Sequence, residues 1–265
     1  MTSAETTVPN SALEFAKITA RDAGAILRER FGVGRKIEFK GVVDLVTDAD
    51  RASELFISER LKASFPAFRV VGEEGIASQA GDGEGYVWVV DPLDGTTNYA
   101  HAYPHFGVSI ALAKGKELLV GVVYDPMRDE LFAAQKGQGA TLNDRPIKVT
   151  TETELIRSLL ATGFAYDLSL RDAQLDIWRK VQGVTQGIRR DGAAALDLVW
   201  LAAGRVDGFW EDPLMPWDMA AGALIVTEAG GRVTGYGNAP FDPFGTSAVA
   251  TNGHIHDALL SLIGD

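Results

Sequence analysis

Asp91 and Asp94 stand three residues apart at the end of an apolar run, 87–90, and Gly95, Thr96 and Thr97 follow them directly. Two carboxylates at a strand exit can hold hard cations, and a glycine beside two threonines can offer backbone N–H groups to a phosphate. Residues 87–98 therefore read as a strand that stops at Asp91, turns at Pro92, and carries both halves of a metal-dependent phosphoryl-transfer site. Other carboxylates recur where elements should begin or end. Asp44 and Asp50 flank the start of a helix, and Glu73 and Glu74 follow a short strand. Glu211 follows another strand, and Asp218 sits just inside a helix introduced by Pro216. Taken singly, each has a plainer reading: an Asp at a helix start is usually a cap, and Asp-Pro-Leu-Asp-Gly is a common turn. The combination is harder to explain that way. A carboxylate placed after four apolar residues lies near the core, where it is costly unless something compensates it. Metal ions are the simplest compensation.

The remaining composition narrows the chemistry. With no cysteine in 265 residues, disulfides, zinc–thiolate sites and cysteine nucleophiles are excluded. The four histidines, His101, His105, His254 and His256, form no partnered motif, and His254-x-His256 reads more readily as a surface turn than as a metal site. Carboxylate and carbonyl oxygens suit Mg²⁺ or Mn²⁺. Neither a Gly-x-Ser-x-Gly elbow nor a Gly-x-x-x-x-Gly-Lys-Ser/Thr loop is present, which argues against a serine hydrolase and a Walker-type NTPase. The net charge of −11 repels phosphates, so direct nucleic-acid binding is not expected, and an anionic substrate would need bound cations to reverse the local sign. Residues 1–10 read as a loose tail without a leader pattern, and no apolar run reaches the roughly 18–20 residues of a membrane span. The expectation is a cytoplasmic protein with no membrane partner.

The elements that must position these residues follow from periodicity. Leu13, Ala16, Ala20, Ala23, Leu27 and Phe31 predict an amphipathic helix with capping-box spacing at Ser11 and Glu14, stopped by Gly32 and Gly34. Residues 36–47 should be extended. A second helix, capped by Thr47 or Asp48, should run to about Ser64, with a strand at 69–72 and a mobile Gly-rich loop at 77–85. Runs 106–113 and 118–124 predict a hairpin, with another strand at 131–134. Thereafter strands (159–162, 206–210, 233, 247–250) alternate with helices (170–182, 193–203, 217–229), which predicts a layered α/β half. The expected division is an N-terminal α+β subdomain, 1–150, holding most metal ligands, and a C-terminal α/β subdomain, 151–265, supplying Asp218 and the substrate pocket.

Asp91-Pro-Leu-Asp-Gly-Thr-Thr-Asn98, Gly72-Glu-Glu-Gly75 and Trp217-Asp-Met-Ala-Ala-Gly222 resemble, in order and spacing, the motifs of the inositol monophosphatase family. Val43-Asp-Leu-Val-Thr-Asp-Ala-Asp50, Gly121-Val-Val-Tyr-Asp-Pro126, Ala202-Ala-Gly-Arg-Val-Asp-Gly208 and Glu228-Ala-Gly-Gly231 extend the resemblance from about residue 11 to the end. The Thr-Thr-Asn ending is more similar to the inositol branch than to the nucleotide branch. The resemblance implies an α/β (α+β) fold: a layered αβαβα sandwich of the inositol monophosphatase and fructose-1,6-bisphosphatase type. It further implies a homodimer, lithium sensitivity, and Mg²⁺-dependent hydrolysis of a phosphate monoester with two or three ions per subunit.

Carried over by position, Glu73, Asp91 and the Leu93 carbonyl would hold the first Mg²⁺, and Asp91, Asp94 and Asp218 the second. Glu74 and Thr97, with Asp50 nearby, would orient the attacking water. Gly95 and Thr96 would bind the phosphate, and Asp94, Ala194, Glu211 and Asp218 would face the alcohol. Lys40 could add a cation at the entrance, and Arg189, Arg190 and Asp191 could face the pocket or a dimer contact. Inositol-1-phosphate is the leading substrate. Fructose-1,6-bisphosphatase, histidinol-phosphatase and 3′-phosphoadenosine-5′-phosphate phosphatase activities are alternatives within the same chemistry. A regulatory binding protein contacting the transcription machinery is the alternative outside it.

Overall fold

The structure is a computed structural model of the chain and describes residues 11–32, 37–39, 45–73 and 85–264. The expectations for residues 1–10, Gly34, Lys40, Asp44, Glu74 and 77–84 lie outside them. Helix α1 (Ala12–Arg30) buries Ala16, Ala20, Ala23 and Leu27 along one stripe. The capping box expected at its start is not formed. Ser11 has helical dihedrals (φ −101°, ψ −6°), and its side chain makes no cap hydrogen bond. Strands β1 (Ile37–Phe39) and β2 (Leu45–Thr47) pair antiparallel and lead into α2 (Asp48–Ser64). Here the box is complete: the Thr47 hydroxyl accepts from the N–H groups of Ala49 and Asp50, while Asp50 accepts from the Thr47 N–H.

A seven-stranded sheet follows in sequence order: β3 (Arg69–Gly72), β4 (Tyr86–Asp94), β5 (Gly107–Lys114), β6 (Glu117–Asp125), β7 (Glu130–Gln135), β8 (Ala140–Leu142) and β9 (Arg145–Pro146). Neighbours are antiparallel except β3 and β4, which run parallel. Short helix α3 (Thr96–Ala100) interrupts the path from β4 to β5. The second half contains β10 (Leu159–Thr162), α4 (Arg171–Gln182), β11 (Gly187–Arg189), α5 (Ala194–Ala202), β12 (Gly208–Glu211), α6 (Pro216–Glu228), β13 (Arg232–Thr234), β14 (Ala248–Thr251) and α7 (His256–Ile263). Its five strands are ordered β11-β10-β12-β14-β13, so this sheet is mixed.

Period-two alternation sorts the side chains into layers. In β4, Trp88 and Val90 face α1 and α2, whereas Val87 and Val89 face the interior helices. In the second sheet, Phe209 and Ala250 face those same helices, while Trp210 and Val249 face α4 and α7. The order is α1/α2, first sheet, α5/α6, second sheet, α4/α7: the αβαβα sandwich. Helix α6 lies between the sheets because the residues facing it are small. A Cβ on Gly121 of β6 would stand 2.6 Å from the Ala221 carbonyl oxygen, and one on Gly222 would stand 2.6 Å from the Leu198 Cβ. Helix α7, like α3, β8, β9 and β11, is an element the sequence did not announce. Its N-cap is Ile255, which offers no capping side chain.

Candidate active site

Strand β4 does not stop at Asp91. It continues to Asp94 through an irregularity in which Asp91 pairs with Ser109 and Asp94 with Gly107. Three steps on β4 therefore oppose two on β5, which is a one-residue bulge. Pro92 fits there because it has no N–H to contribute to the ladder. The bulge has a functional consequence. Carboxylates three apart on a regular strand would point to opposite faces, and the extra residue brings both to the face covered by α5 and α6. Ser109 and Gly107 lie on that face. The Ser109 hydroxyl donates to the Trp217 carbonyl at 3.1 Å, and Gly107 packs against Leu196.

Helix α6 then delivers a third acid. Asp218 is the third residue of α6 and accepts the Met215 N–H at 2.7 Å, so its role as a cap and its place beside Asp94 coexist. Asp94 accepts the Ala195 N–H at 2.9 Å, from the first turn of α5. Behind these, buried Asp50 accepts the hydroxyls of Thr47 and Thr96, and Thr96 also donates to the Leu93 carbonyl at 3.1 Å. Gly95 adopts φ +90°, and a Cβ there would stand 3.1 Å from the His105 carbonyl oxygen and 3.2 Å from Ala193. This turn accepts glycine because of both its dihedral and its surroundings.

These elements wall a cavity of about 860 Å³. Of the residues singled out in the sequence, Glu73, Asp94, Gly95, Thr97, Ala194, Glu211 and Asp218 line it. Asp50, Asp91, Leu93 and Thr96 stand behind that lining, and Glu74 lies outside the described residues. The cavity is strongly acidic. Burial, then the charges of Glu73, Asp94 and Asp218, drive the Asp91 carboxyl well above its ordinary range. Burial raises Asp94 to about 7 against the pull of the α5 N–H groups. Burial raises Asp218 to about 7 and Glu211 to about 8, the latter helped by the charge of Asp218. A buried point surrounded by hard oxygen ligands, with excess negative charge, is chemically fitted to divalent cations. Among the described residues these acids do not close into a three-ligand group within 4.8 Å. Asp94 and Asp218 are instead turned toward backbone N–H groups.

Three lining residues stand out among those to which the sequence gave no individual role. Gly163 faces Glu211 so closely that a Cβ would overlap the carboxylate. Asp197 is an acid 2% exposed within the apolar helix α5. Arg190, left open between pocket and dimer contact, is on the cavity wall with Arg171. Gly163 sits in an unremarkable Thr-Gly-Phe stretch, but Asp197 carried a readable signal: a lone acid inside a nine-residue apolar run. His254-x-His256 is not a metal pair. His254 is exposed, while buried His256 has one ring nitrogen 3.0 Å from the Thr234 hydroxyl and the other 3.0 Å from the Thr251 hydroxyl.

The profile of the inositol monophosphatase family matches residues 9–265. The chain is 45% identical to the inositol-1-monophosphatase of Synechocystis sp., over 93% of this chain and 86% of that protein. It is 45% identical to the Nus factor SuhB of Pseudomonas aeruginosa, over 82% of each. Among solved structures, the extragenic suppressor protein suhB of Bartonella henselae superposes with a TM-score of 0.91 at 39% identity, over 97% of this chain and 99% of that one.

Proposed function

Because the chain belongs to the inositol monophosphatase family, we propose that its acid-lined cavity hydrolyses inositol-1-phosphate to myo-inositol and phosphate. The observation that carries this is the β4 bulge. It turns Asp91 and Asp94 to one face, beside Asp218 and the Gly95 turn. In this reading Glu73, Asp91, the Leu93 carbonyl, Asp94 and Asp218 hold two or three Mg²⁺ ions. The ions would supply an activated water and charge neutralisation at the phosphate and leaving oxygen.

The chain's own residues do the positioning. The Thr96 hydroxyl, donating to the Leu93 carbonyl and to Asp50, fixes the turn that presents the Gly95 and Thr96 N–H groups to the phosphate. In the same reading Thr97 and Glu74, with Asp50 nearby, orient the water. Ala194, Glu211 and the outer oxygens of Asp94 and Asp218 face the inositol hydroxyls. Little covalent work is required of the protein, since phosphoryl transfer rests mainly on positioning and charge stabilisation.

Lithium inhibition and a homodimer belong to the same reading, as does a cytoplasmic location. No described helix is long and apolar enough to cross a membrane. A second reading, a regulatory role at the transcription machinery, is favoured by the relatives named Nus factor SuhB.

The test is phosphate release from inositol-1-phosphate, fructose-1,6-bisphosphate, histidinol phosphate and 3′-phosphoadenosine-5′-phosphate, with and without Mg²⁺. Mg²⁺-dependent preference for inositol-1-phosphate is the expected result. Preference for another substrate would correct the pocket reading, and no activity from folded protein would favour the regulatory one.

A further inference from the structure

Beside the acid cavity lies a second cluster of chemically different character. One ring nitrogen of His105, one carboxylate oxygen of Asp191 and one of Asp197 lie within 4.8 Å of one another. His105 is 3% exposed and Asp197 is 2% exposed. The His105 Nε2 and the Asp197 Oδ1 are both buried without a hydrogen-bond partner. Orphaned polar atoms of this kind are costly and uncommon in folded proteins. Two residues of one three-member cluster therefore each carry such an atom, which points to a shared partner.

The surroundings are built rather than incidental. The Asn98 amide donates to the carbonyls of His105 and Asp191, each at 2.8 Å, and so ties together the two segments that bear the cluster. Trp200 packs edge-on to the His105 ring with centroids 5.0 Å apart, which fixes the imidazole plane. A cavity of about 300 Å³ borders His105 and Asp191 on one side, where Arg128, Arg189 and Arg205 also line it, and Asp197 lines the acid cavity on the other. The nearby Arg128 guanidinium is held by Asp125 at 2.7 Å, which offsets its charge. Burial lowers the His105 pKa, so the imidazole is neutral and able to act as a ligand at neutral pH.

We propose that His105, Asp191 and Asp197 form a second cation site, for a divalent transition-metal ion of the Zn²⁺ type, in the wall of the acid cavity but apart from its Asp91–Asp94–Asp218 cluster. One imidazole with two carboxylates, leaving a fourth position for water, suits such an ion better than Mg²⁺. Tetrahedral ligands about 2.1 Å from zinc are roughly 3.4 Å apart, so binding draws the three groups together. Asp191 can supply that movement, since it precedes Gly192 at φ +84° and is only half-buried. Gly192 and Ala193 abut Gly95, so an ion here would brace the Gly95 turn from behind.

The experiment is a ZnCl₂ titration of the ¹⁵N-histidine-labelled full chain in saturating Mg²⁺, followed by long-range ¹H–¹⁵N spectra of its four histidines. His105→Gln assigns the His105 signal. If that variant fails to fold, replacing His101, His254 and His256 in turn assigns it by elimination. The expected result is a coordination shift of a His105 nitrogen that saturates at one equivalent. It should persist in Asp91→Asn and weaken about tenfold or more in Asp191→Asn. A His105 signal unmoved by Zn²⁺, an affinity unchanged by Asp191→Asn, or a shift abolished by Asp91→Asn would each overturn the proposal. Because the readout is binding, its failure is separable from failure of the phosphatase reading.

Discussion

The two sheets meet at one cavity and contribute to it by different physics. The first sheet fixes its acids through backbone pairing: the β4 bulge decides where Asp91 and Asp94 point, and no side-chain choice elsewhere can redirect them. The second sheet shapes the opposite wall through space. Glu211 closes β12 where Gly163, just beyond β10, leaves room for its carboxylate. The difference suggests that reaction chemistry rests on register and alcohol recognition rests on packing, and each side can be perturbed alone.

The largest effect is expected at Asp91. Asp91→Asn keeps the shape and removes a buried charge, so the fold should be retained while turnover falls by roughly 10³-fold or more, about 4 kcal/mol of barrier. Near-normal turnover in a Mg²⁺ assay would break the assignment of chemistry to the first sheet. Next is Gly163→Ala, which forces Glu211 aside. We expect kcat/KM for inositol-1-phosphate to fall by roughly 10–100-fold, with a much smaller loss for a simple alkyl phosphate. Equal losses for both substrates would erase the distinction between the two walls.

Gly121→Ala tests the packing between the sheets. Its Cβ would press on the Ala221 carbonyl, and a stability loss of about 1–3 kcal/mol should appear in denaturant melts. The smallest effect is at Glu211, whose carboxyl is raised to about 8 by burial and the charge of Asp218. A group with a raised folded pKa stabilises below its unfolded pKa, near 4.5, and loses that contribution as pH rises through 8. In chelator-treated protein, Glu211→Gln should therefore match the parent at pH 4.5 and exceed it increasingly towards pH 8. The gain should grow between about pH 4.5 and 8 and level off above that. A melting-temperature difference that is flat across this range would show that the wall is more solvated than its burial implies.

The contrast also explains what could be read from the chain. Continuous apolar runs marked β4 through β7, and the three- and four-residue spacing of Leu13 to Phe31 marked α1. The carboxylate-rich motifs stood out because acids after apolar runs conflict with burial. The bulge did not stand out, since Pro92 in Asp-Pro-Leu-Asp reads equally as a turn, and only pairing with β5 distinguishes the two. Gly163 was silent for a related reason: its role lies in the absence of a Cβ opposite a residue 48 positions away. His105 and Asp191 are 86 positions apart and carry no shared motif, so their approach depends on Asn98 tying two segments together.

Helix α6 touches both sheets, and Gly121 and Gly222 leave it no slack against β6 and α5. For anyone altering the selectivity of this protein, that makes residues 219–226 a keel rather than a workbench. A larger side chain there would displace Asp218 and both sheets together, so every variant would mix altered preference with lost folding. Tyr166, Asp167, Arg190 and Met215 border the same cavity with exposed side chains that can change without touching the Gly163–Glu211 contact. Libraries confined to them should retain a far larger share of folded members than libraries that include the buried helix.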